Sequence, residues 1–330
     1  MRRSRGRSRC GCARAARQLV EAGDVEEVFV SDLDAARRAA VVQATGDKAT
    51  DVGNDREVEA DAVLLAGPVG SHAAEAARHV AAGRTVVSTS DSISDVQALL
   101  DLDGAARERS VALVVGAAFS PGYSCVLARH AAAGFDEVAE VHIARSGTGG
   151  PACARHHHAS LTGRGLDWRD GEWQRRPAGS GRELCWFPDP IGAEDCYRAE
   201  LPDALLLQPL FSGASRVTAR LAATRRDRLS AHLPMLRKPH PEGLVGAVRV
   251  EVRGRRNGQT EVRVLGALDR PAVAAGAVAA LATRWAVDGR LPPGAQGLGA
   301  LAEPVPFFPM PAPRRPSRTP RQVIPAALSA

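Results

Sequence analysis

The residues best suited to bind a cofactor lie near the start of this 330-residue chain. Gly6, Ser8 and Gly11 follow the G-x-G-x-x-G spacing of a dinucleotide-binding turn, with serine at the middle position. Gly6 would form the tight turn, and the N–H groups that open the following helix would face a pyrophosphate. Asp32 follows Gly11 by 21 positions, close to the spacing of about 20 for an acid that binds a ribose. An ordinary turn between a strand and a helix is the alternative.

Two features of this stretch indicate a weakened motif. Residues 1–5 lack the β-branched residues of the buried strand that should precede a phosphate-binding turn. The side chain of Ser8 occupies a position where the backbone should approach the pyrophosphate closely. The sequence therefore predicts that the first strand is missing or degraded and that the cofactor binds less tightly.

Composition limits the classes of protein that the chain can belong to. With 45% hydrophobic and 24% charged residues, it can bury a large core and should form two globular domains. The net charge of +6 comes from arginines interspersed with acids, and aromatic residues make up only 4%, so we expect no nucleic-acid partner. Scattered cysteines, no secretory signal and no long apolar run predict a cytoplasmic protein without a membrane partner.

Cys153 and the three histidines at 156–158 form the one cluster of metal-ligand types that stands out. Three consecutive histidines cannot all point one way, and no carboxylate lies nearby in the sequence. The pair Cys10 and Cys12 lacks zinc-ligand spacing. The sequence therefore predicts a solvated loop at 153–158 and no metal site.

From Asp32 to residue 125, predicted strands and helices alternate, which is typical of a parallel sheet with crossover helices. The predicted strands end in small or polar residues: Asp32, Gly67-Pro68, Ser88-Thr89-Ser90 and Gly116-Ala117. Ligands of open α/β sheets bind at the carboxyl ends of the strands, where small residues leave room. Short turns without a ligand are the alternative.

Beyond residue 125 the pattern changes to alternating apolar and polar residues, which predicts half-exposed antiparallel strands at 138–145, 216–222, 248–253 and 261–265. Asn257-Gly258 should turn a hairpin between the last two strands, and Pro271 should open a helix over 272–287. The final thirty or so residues lack a recognisable terminal strand, and the stretch rich in proline and arginine from about Pro304 onward should be disordered.

Together these stretches resemble the saccharopine dehydrogenase-like oxidoreductases. The resemblance covers residues 6–300 and is strongest over 60–125, where Gly67-Pro68 and the segment from Gly116 to Gly122 stand at the family's positions. It implies an α/β fold: a Rossmann-type doubly wound parallel sheet plus a second α/β domain with a mixed, largely antiparallel sheet. The expected divisions are 1–125 for cofactor binding, 126–270 for substrate and dimer contacts, 271–300 for a helix that packs back, and 301–330 for a tail.

The resemblance also implies NAD(P) as cofactor and a small-molecule substrate, and it allows a homodimer. Asp32 would repel a 2′-phosphate, which favours NAD over NADP, although Arg37 or Arg38 could compensate. The implied cofactor-binding residues are Gly6, Ser8, Gly11, Asp32, Asp51, Val52, Gly67, Pro68, Thr89, Ser90 and Gly116.

Candidate catalytic residues lie in the second half of the chain. His240 and Glu242 stand two apart on a proline-bounded loop and could form an acid/base pair, and Asp227 lies in an arginine cluster. Gly149, Gly150 and Arg182 are the candidate substrate-binding residues. We therefore expect an NAD(P)-dependent oxidoreductase that transfers a hydride to or from a small amino- or oxo-carboxylate. A catalytically inactive Rossmann-fold binding or interaction protein is the alternative.

Overall fold

The computed structural model describes residues 10–22, 24–53, 58–235, 238–240 and 243–303. Its first part alternates helices and short strands: α1 (Cys10–Glu21), β1 (Val28–Ser31), α2 (Ala35–Thr45), β2 (Ala49–Gly53), β3 (Ala62–Leu65), α3 (His72–Ala81), β4 (Thr85–Ser88), α4 (Ile93–Leu100), α5 (Asp103–Glu108), β5 (Ala112–Val115) and α6 (Tyr123–Ala132).

The second part is richer in strands and ends in a long helix. Its elements are β6 (Glu137–Ser146), α7 (Pro151–Ser160), β7 (Arg164–Arg169), β8 (Glu172–Pro177), β9 (Glu183–Trp186), β10 (Ala193–Tyr197), α8 (Asp203–Leu207), a 3₁₀ helix (Gln208–Phe211), β11 (Arg216–Ala222), α9 (Arg225–Ser230), β12 (Gly246–Arg256), β13 (Gln259–Asp269), α10 (Pro271–Val287), β14 (Gly294–Gly297) and α11 (Leu298–Leu301).

The parallel part consists of a four-stranded sheet in the order β14-β5-β4-β3 and a separate parallel pair, β1 and β2. Val86, Val87, Leu113 and Val114 in its central strands are fully buried. Strands covered by helices on both faces need such continuous apolar runs. The predicted Rossmann-type α/β fold class is confirmed.

Strand β14 is a strand that the sequence did not predict; the final thirty or so residues, expected to lack a terminal strand and to be disordered, lie almost entirely outside the described residues. Its sequence, Gly-Ala-Gln-Gly, carries no β-branched residue, so its own propensity for extended structure is low. Hydrogen bonding along β5 and a bond from the backbone N–H of Ala295 to Asp103 Oδ1 (2.8 Å) hold it in place. Tertiary pairing therefore creates a strand that sequence pattern could not reveal.

The second sheet has eight strands, with the order β13-β12-β6-β11-β10-β9 and with β7 joining β11 to β8. The predicted hairpin is confirmed, because Asn257 and Gly258 both have positive φ (50° and 75°) between β12 and β13. The expected mixed, largely antiparallel sheet is confirmed: β6 and β11 pair in parallel with each other, and the other strand pairs are antiparallel. An alternating pattern indicates that one face of a strand is exposed, but it does not indicate whether the neighbouring strands are parallel or antiparallel.

Helix α10 connects the two parts, and its predicted span over 272–287 is confirmed. Its side chains Ala279 and Ala280 pack against Ala15 and Leu19 of α1, and the cluster extends to Leu64 of β3. Small residues allow the two helices to approach closely. Where the domains begin and end stays a prediction. No helix in the described part of the chain is long and apolar enough to cross a membrane.

Candidate functional site

A cavity of about 140 Å³ lies at the carboxyl ends of β3, β4 and β5. Ala66, Thr89 and Phe119, which follow these strands, form one side. The opposite side comes from the second part of the chain, namely the end of β6, the loop 147–150, helix α7 and the start of α10. This is the edge of a parallel sheet at which ligands bind in open α/β folds.

Most residues predicted to bind the cofactor lie at or just after the carboxyl end of a parallel strand. Asp32 follows β1, Asp51 and Val52 lie in β2, Gly67 and Pro68 follow β3, Thr89 and Ser90 follow β4, and Gly116 follows β5. Gly11 lies in the first turn of α1, whereas Gly6 and Ser8 lie outside the described residues. Of these candidates, Thr89 is the one that lines the cavity in the described part of the chain. Their role in cofactor binding stays a prediction.

Gly116 and Ser90 also have structural roles. Gly116 has φ +72°, and a Cβ there would lie 2.7 Å from Leu206 Cδ1. Ser90 is buried and donates a hydrogen bond to Asp95 Oδ2 (2.9 Å). Packing and a satisfied buried hydroxyl are sufficient to account for both residue types.

Asp32 belongs to a network of charged side chains beyond β1 and β2. Its Oδ1 accepts a hydrogen bond from the Asp34 N–H (2.8 Å), and its Oδ2 lies 3.5 Å from Arg37 Nη1. Arg38 donates from Nε to Asp51 Oδ1 (2.6 Å) and from Nη1 to the Asp32 carbonyl. Arg37 Nε also lies 3.3 Å from Asp34 Oδ2, so that among the described residues three carboxylates face two guanidinium groups in this network.

A second cluster lies in the cavity wall and consists of Asp91, Cys153 and His157. The ligand-type atoms of these residues all lie within 4.8 Å of one another. The predicted solvated loop at 153–158 is wrong, because Pro151 opens helix α7 and His157 is only 7% exposed. Positions 153 and 157 are one helical turn apart and share a face, while Asp91 reaches them from the end of β4. The carboxylate missing from the local sequence is supplied by another part of the fold.

The members of this cluster shift one another's pKa values. Burial opposes ionisation of Asp91, but His157, His156 and Arg145 outweigh it and hold the pKa of this carboxyl well below its ordinary value. Burial likewise raises the pKa of the Cys153 thiol, yet the neighbouring His157 brings it below the ordinary value. Burial and Arg145 oppose protonation of His157, whose pKa is nevertheless raised by Cys153 and Asp91. The environment therefore favours a thiolate beside an imidazolium.

Arg145, at the end of β6, is the cationic group of the cavity. It is 4% exposed, and its Nη1 donates to the carbonyl of Ser120 (2.6 Å). Its Nε and Nη2 are buried and have no hydrogen-bond partner among the described residues; Nη2 lies 3.9 Å from Asp91 Oδ2. Nε and Nη2 form one edge of the guanidinium, the fork that binds a carboxylate through two parallel hydrogen bonds.

The other predicted residues divide between the cavity and the surface. Gly149 and Gly150 line the cavity. Arg182 is exposed and pairs with Asp195 (2.9 Å), and Asp227 forms the capping box of α9 with Thr224. Neither Arg182 nor Asp227 is among the residues that line the cavity in the described part of the chain.

The proline-bounded loop lies near the cavity rim. The N–H of Gly243 donates to the carbonyl of His240 (3.1 Å), and Gly243 packs closely against the carbonyl of Thr148. Thr148 immediately precedes the cavity-lining Gly149. His240 thus belongs to a turn beside the glycine loop, whereas Glu242 lies outside the described residues.

Sequence reasoning missed Asp91 and Arg145, although each had a detectable signal. Asp91 lies in the polar run that follows β4, and Arg145 stands near the end of an alternating strand just before the glycine-rich loop. An ionisable residue at the point where a strand meets such a loop is a candidate for binding or catalysis.

Comparison with known proteins places the fold. No protein-family model and no curated protein match the chain. It is similar to apo saccharopine dehydrogenase (L-Glu forming) from Saccharomyces cerevisiae, with TM-score 0.62 and 14% identity over 89% of this chain and 92% of that one.

Two further solved structures are more distant. GenD2 from gentamicin A biosynthesis, in complex with NAD, has TM-score 0.46 and 17% identity over 84% of each chain. A myo-inositol dehydrogenase from Corynebacterium glutamicum has TM-score 0.46 and 13% identity over 86% of this chain and 87% of that one. These TM-scores are too low to establish a shared fold. From the first similarity, we conclude that the chain has the fold of saccharopine dehydrogenase, in agreement with the resemblance found in its sequence.

Proposed function

We propose that the chain is a saccharopine dehydrogenase-like NAD(P)-dependent oxidoreductase that transfers a hydride to or from a small amino- or oxo-carboxylate. The observation that carries the substrate class is the buried edge of Arg145 in the cavity wall, whose Nε and Nη2 make no hydrogen bond with the described residues. Asp91, with Oδ2 at 3.9 Å from Nη2, is an ion-pair partner beyond hydrogen-bond distance, and buried N–H groups without a hydrogen bond are costly. A carboxylate on a small substrate would satisfy both groups.

The described residues fit a nicotinamide cofactor at the neighbouring strand ends. Asp32 has a carboxylate that is 38% exposed, where an adenosine ribose would bind, and Thr89 lies in the cavity wall. Gly67 and Pro68 leave little side-chain bulk after β3. When bound, the cofactor supplies the hydride acceptor or donor. Among the described residues, the network around Asp32 contains three carboxylates and two guanidinium groups, and this balance supports a preference for NAD over NADP.

The cofactor part of the proposal is tested by calorimetric titration of the purified full chain with NADH and with NADPH. Saturable binding of either nucleotide supports an oxidoreductase. Binding of neither would refute the proposal and favour the inactive Rossmann-fold binding protein, the alternative suggested by Ser8.

The substrate part is tested with matched probes on the NADH-loaded protein. Pyruvate, 2-oxobutyrate and 2-oxoglutarate are each titrated beside the corresponding amide. We expect the carboxylates to bind and the amides not to bind. Arg145→Lys should weaken the affinity for the carboxylates by about 10- to 100-fold, since hydrogen bonds to charged groups contribute about 1.5–3 kcal/mol.

The control is Arg182→Lys, which alters the surface arginine that the sequence suggested for the same task and should leave binding unchanged. Equal binding to wild type and Arg145→Lys, or a loss in Arg182→Lys alone, would contradict the assignment to Arg145. The assignment of proton transfer to His240, Glu242 and Asp227, the homodimer and the cytoplasmic location stay predictions.

A further inference from the structure

We propose that Asp91, Cys153 and His157 bind a zinc ion in the wall of the cavity. The three side chains supply a carboxylate oxygen, a thiolate sulfur and an imidazole nitrogen, and these atoms lie within 4.8 Å of one another. Thiolate and imidazole ligands select zinc over magnesium or calcium, which prefer oxygen donors. The inference concerns the metal alone and does not require the proposed oxidoreductase activity.

Two separations between the ligand atoms match a shared ion, and the third, between Cys153 Sγ and the Asp91 carboxylate, lies within 4.8 Å. Cys153 Sγ lies 3.5 Å from His157 Nε2, and the same Nε2 lies 3.6 Å from Asp91 Oδ2. Tetrahedral zinc with bonds of about 2.3 Å to sulfur and about 2.0–2.2 Å to nitrogen and oxygen separates such atoms by about 3.4–3.6 Å. The distance between nitrogen and oxygen exceeds the 2.7–3.2 Å typical of a hydrogen bond.

The arrangement also differs from a thiol–imidazole–carboxylate relay. In a catalytic triad the nucleophile and the carboxylate bond to opposite nitrogens of the histidine ring. Here both approach Nε2 of His157, and its Nδ1 is buried with no hydrogen-bond partner among the described residues. One nitrogen facing two anionic groups suits a metal ion that all three coordinate.

Neighbouring groups orient the ligands and determine the charge of the site. His156 Nε2 lies 3.4 Å from Asp91 Oδ1 and 3.3 Å from the Asp91 carbonyl, as expected of an outer-shell residue that positions a ligand. The two anionic ligands offset the charge of the zinc ion, which reduces the repulsion from Arg145 at 3.9 Å from Asp91 Oδ2. A zinc ion would replace the proton on His157 when it binds.

All three ligands line the cavity, so the fourth position on the ion would face the cavity interior. Three protein ligands and one open position are characteristic of catalytic zinc sites rather than structural ones. If the proposed function holds, an oxygen of a substrate whose carboxylate binds Arg145 would lie beside the ion, which would polarise it as a Lewis acid.

The test measures metal binding to the full chain without nucleotide. Chelator-treated protein is titrated with Zn²⁺ in competition with a chromogenic chelator and with Co²⁺ by absorption spectroscopy. We expect one ion per chain and a near-ultraviolet thiolate-to-cobalt band. Cys153→Ser, His157→Gln and Asp91→Asn should each weaken binding by about 100-fold or more, because loss of an outer-shell partner alone costs about 10- to 100-fold.

The matched control is His158→Gln, on the same helix, whose Nε2 lies 2.9 Å from the Ser230 carbonyl. It should bind zinc as tightly as wild type. A readout without any variant is alkylation of Cys153 by iodoacetamide, which zinc should block. Absence of stoichiometric binding, binding retained in Cys153→Ser, or alkylation unaffected by zinc would each overturn the proposal. Nucleotide binding is measured separately, so the failure of either proposal is recognised on its own.

Discussion

Replacing Asp32 by asparagine should shift nucleotide preference from NADH towards NADPH. The carboxylate of Asp32 is 38% exposed, and its Oδ2 lies 3.5 Å from Arg37 Nη1. Asparagine keeps an oxygen that can accept the hydrogen bond from Asp34 N–H, so the turn into α2 should persist. The substitution removes a negative charge from the place where a 2′-phosphate would lie.

The size of the shift follows from Coulomb's law. Two unit charges about 4 Å apart repel by about 1 kcal/mol in water and about 4 kcal/mol at the effective dielectric constant near a protein surface. Because Asp32 is partly exposed and paired with Arg37, we expect the repulsion of a 2′-phosphate to lie near the lower of these two energies. We therefore expect a relative gain for NADPH of about 1–2 kcal/mol, which corresponds to about 5- to 30-fold in affinity.

The assay is calorimetric titration of wild type and Asp32→Asn with both nucleotides. Asp24→Asn is the matched control, because Asp24 precedes β1 whereas Asp32 follows it, and Asp24 pairs with Arg284 (2.7 Å). It removes the same charge from the opposite end of the strand. An unchanged ratio of affinities in Asp32→Asn, or an equal shift in Asp24→Asn, would refute the assignment of the ribose site.

Three further predictions concern the framework. Leu99→Ala, at a fully buried position, should lower the free energy of unfolding in urea by about 2–5 kcal/mol, and a loss below about 1 kcal/mol would contradict its place in the core. Gly122→Ala should prevent stable folding as judged by thermal melting, because φ is +128° and the new Cβ would lie 2.5 Å from a backbone carbonyl oxygen; a wild-type melting temperature would contradict this. In the folded protein, burial lowers the pKa of His142 below its ordinary 6.5. Below about pH 6.5 the unfolded chain therefore binds the proton first, and the free energy of unfolding falls as the pH is lowered. His142→Gln should lose less stability between pH 7 and 5 in urea titrations, and an equal loss would contradict the assignment. The charged groups around His142 are Glu140, Arg216 and Glu251.

The sequence predicts the framework well wherever local pattern and burial agree. The apolar runs of β4 and β5 correspond to strands buried on both faces, and the hairpin at Asn257 follows from a local preference for positive φ. These features depend on a few neighbouring residues, so one sequence is sufficient to find them.

Features that depend on distant partners do not follow from the sequence. The sequence predicts a solvated loop where helix α7 lies, because consecutive histidines are polar and only the fold shows that His157 points inward towards Asp91. Strand β14 has no strand signal without β5 beside it. From the sequence, Arg145 resembles the exposed arginines of the other alternating strands, and only the structure shows that it lines the cavity. The candidate site therefore combines side chains from both parts of the chain, and their proximity cannot be read from the sequence alone.

The ion pair between Arg220 and Asp167 is a further contact of this kind, since 53 positions separate the two residues. Arg220 is only 1% exposed, and its Nη1 and Nη2 lie 2.8 and 3.2 Å from Asp167 Oδ1 and Oδ2. Asp167→Ala should lower the free energy of unfolding by about 3–5 kcal/mol, because it leaves a buried cation without its bidentate partner. Urea denaturation measures the loss, with Glu108→Ala, an exposed helical position, as the control, which should change it by less than about 0.5 kcal/mol. If Asp167→Ala lost less than about 1 kcal/mol, Glu183, at 3.5 Å from Arg220 Nη2, would have to compensate the cation alone, and Asp167 would not be the main partner of the buried cation.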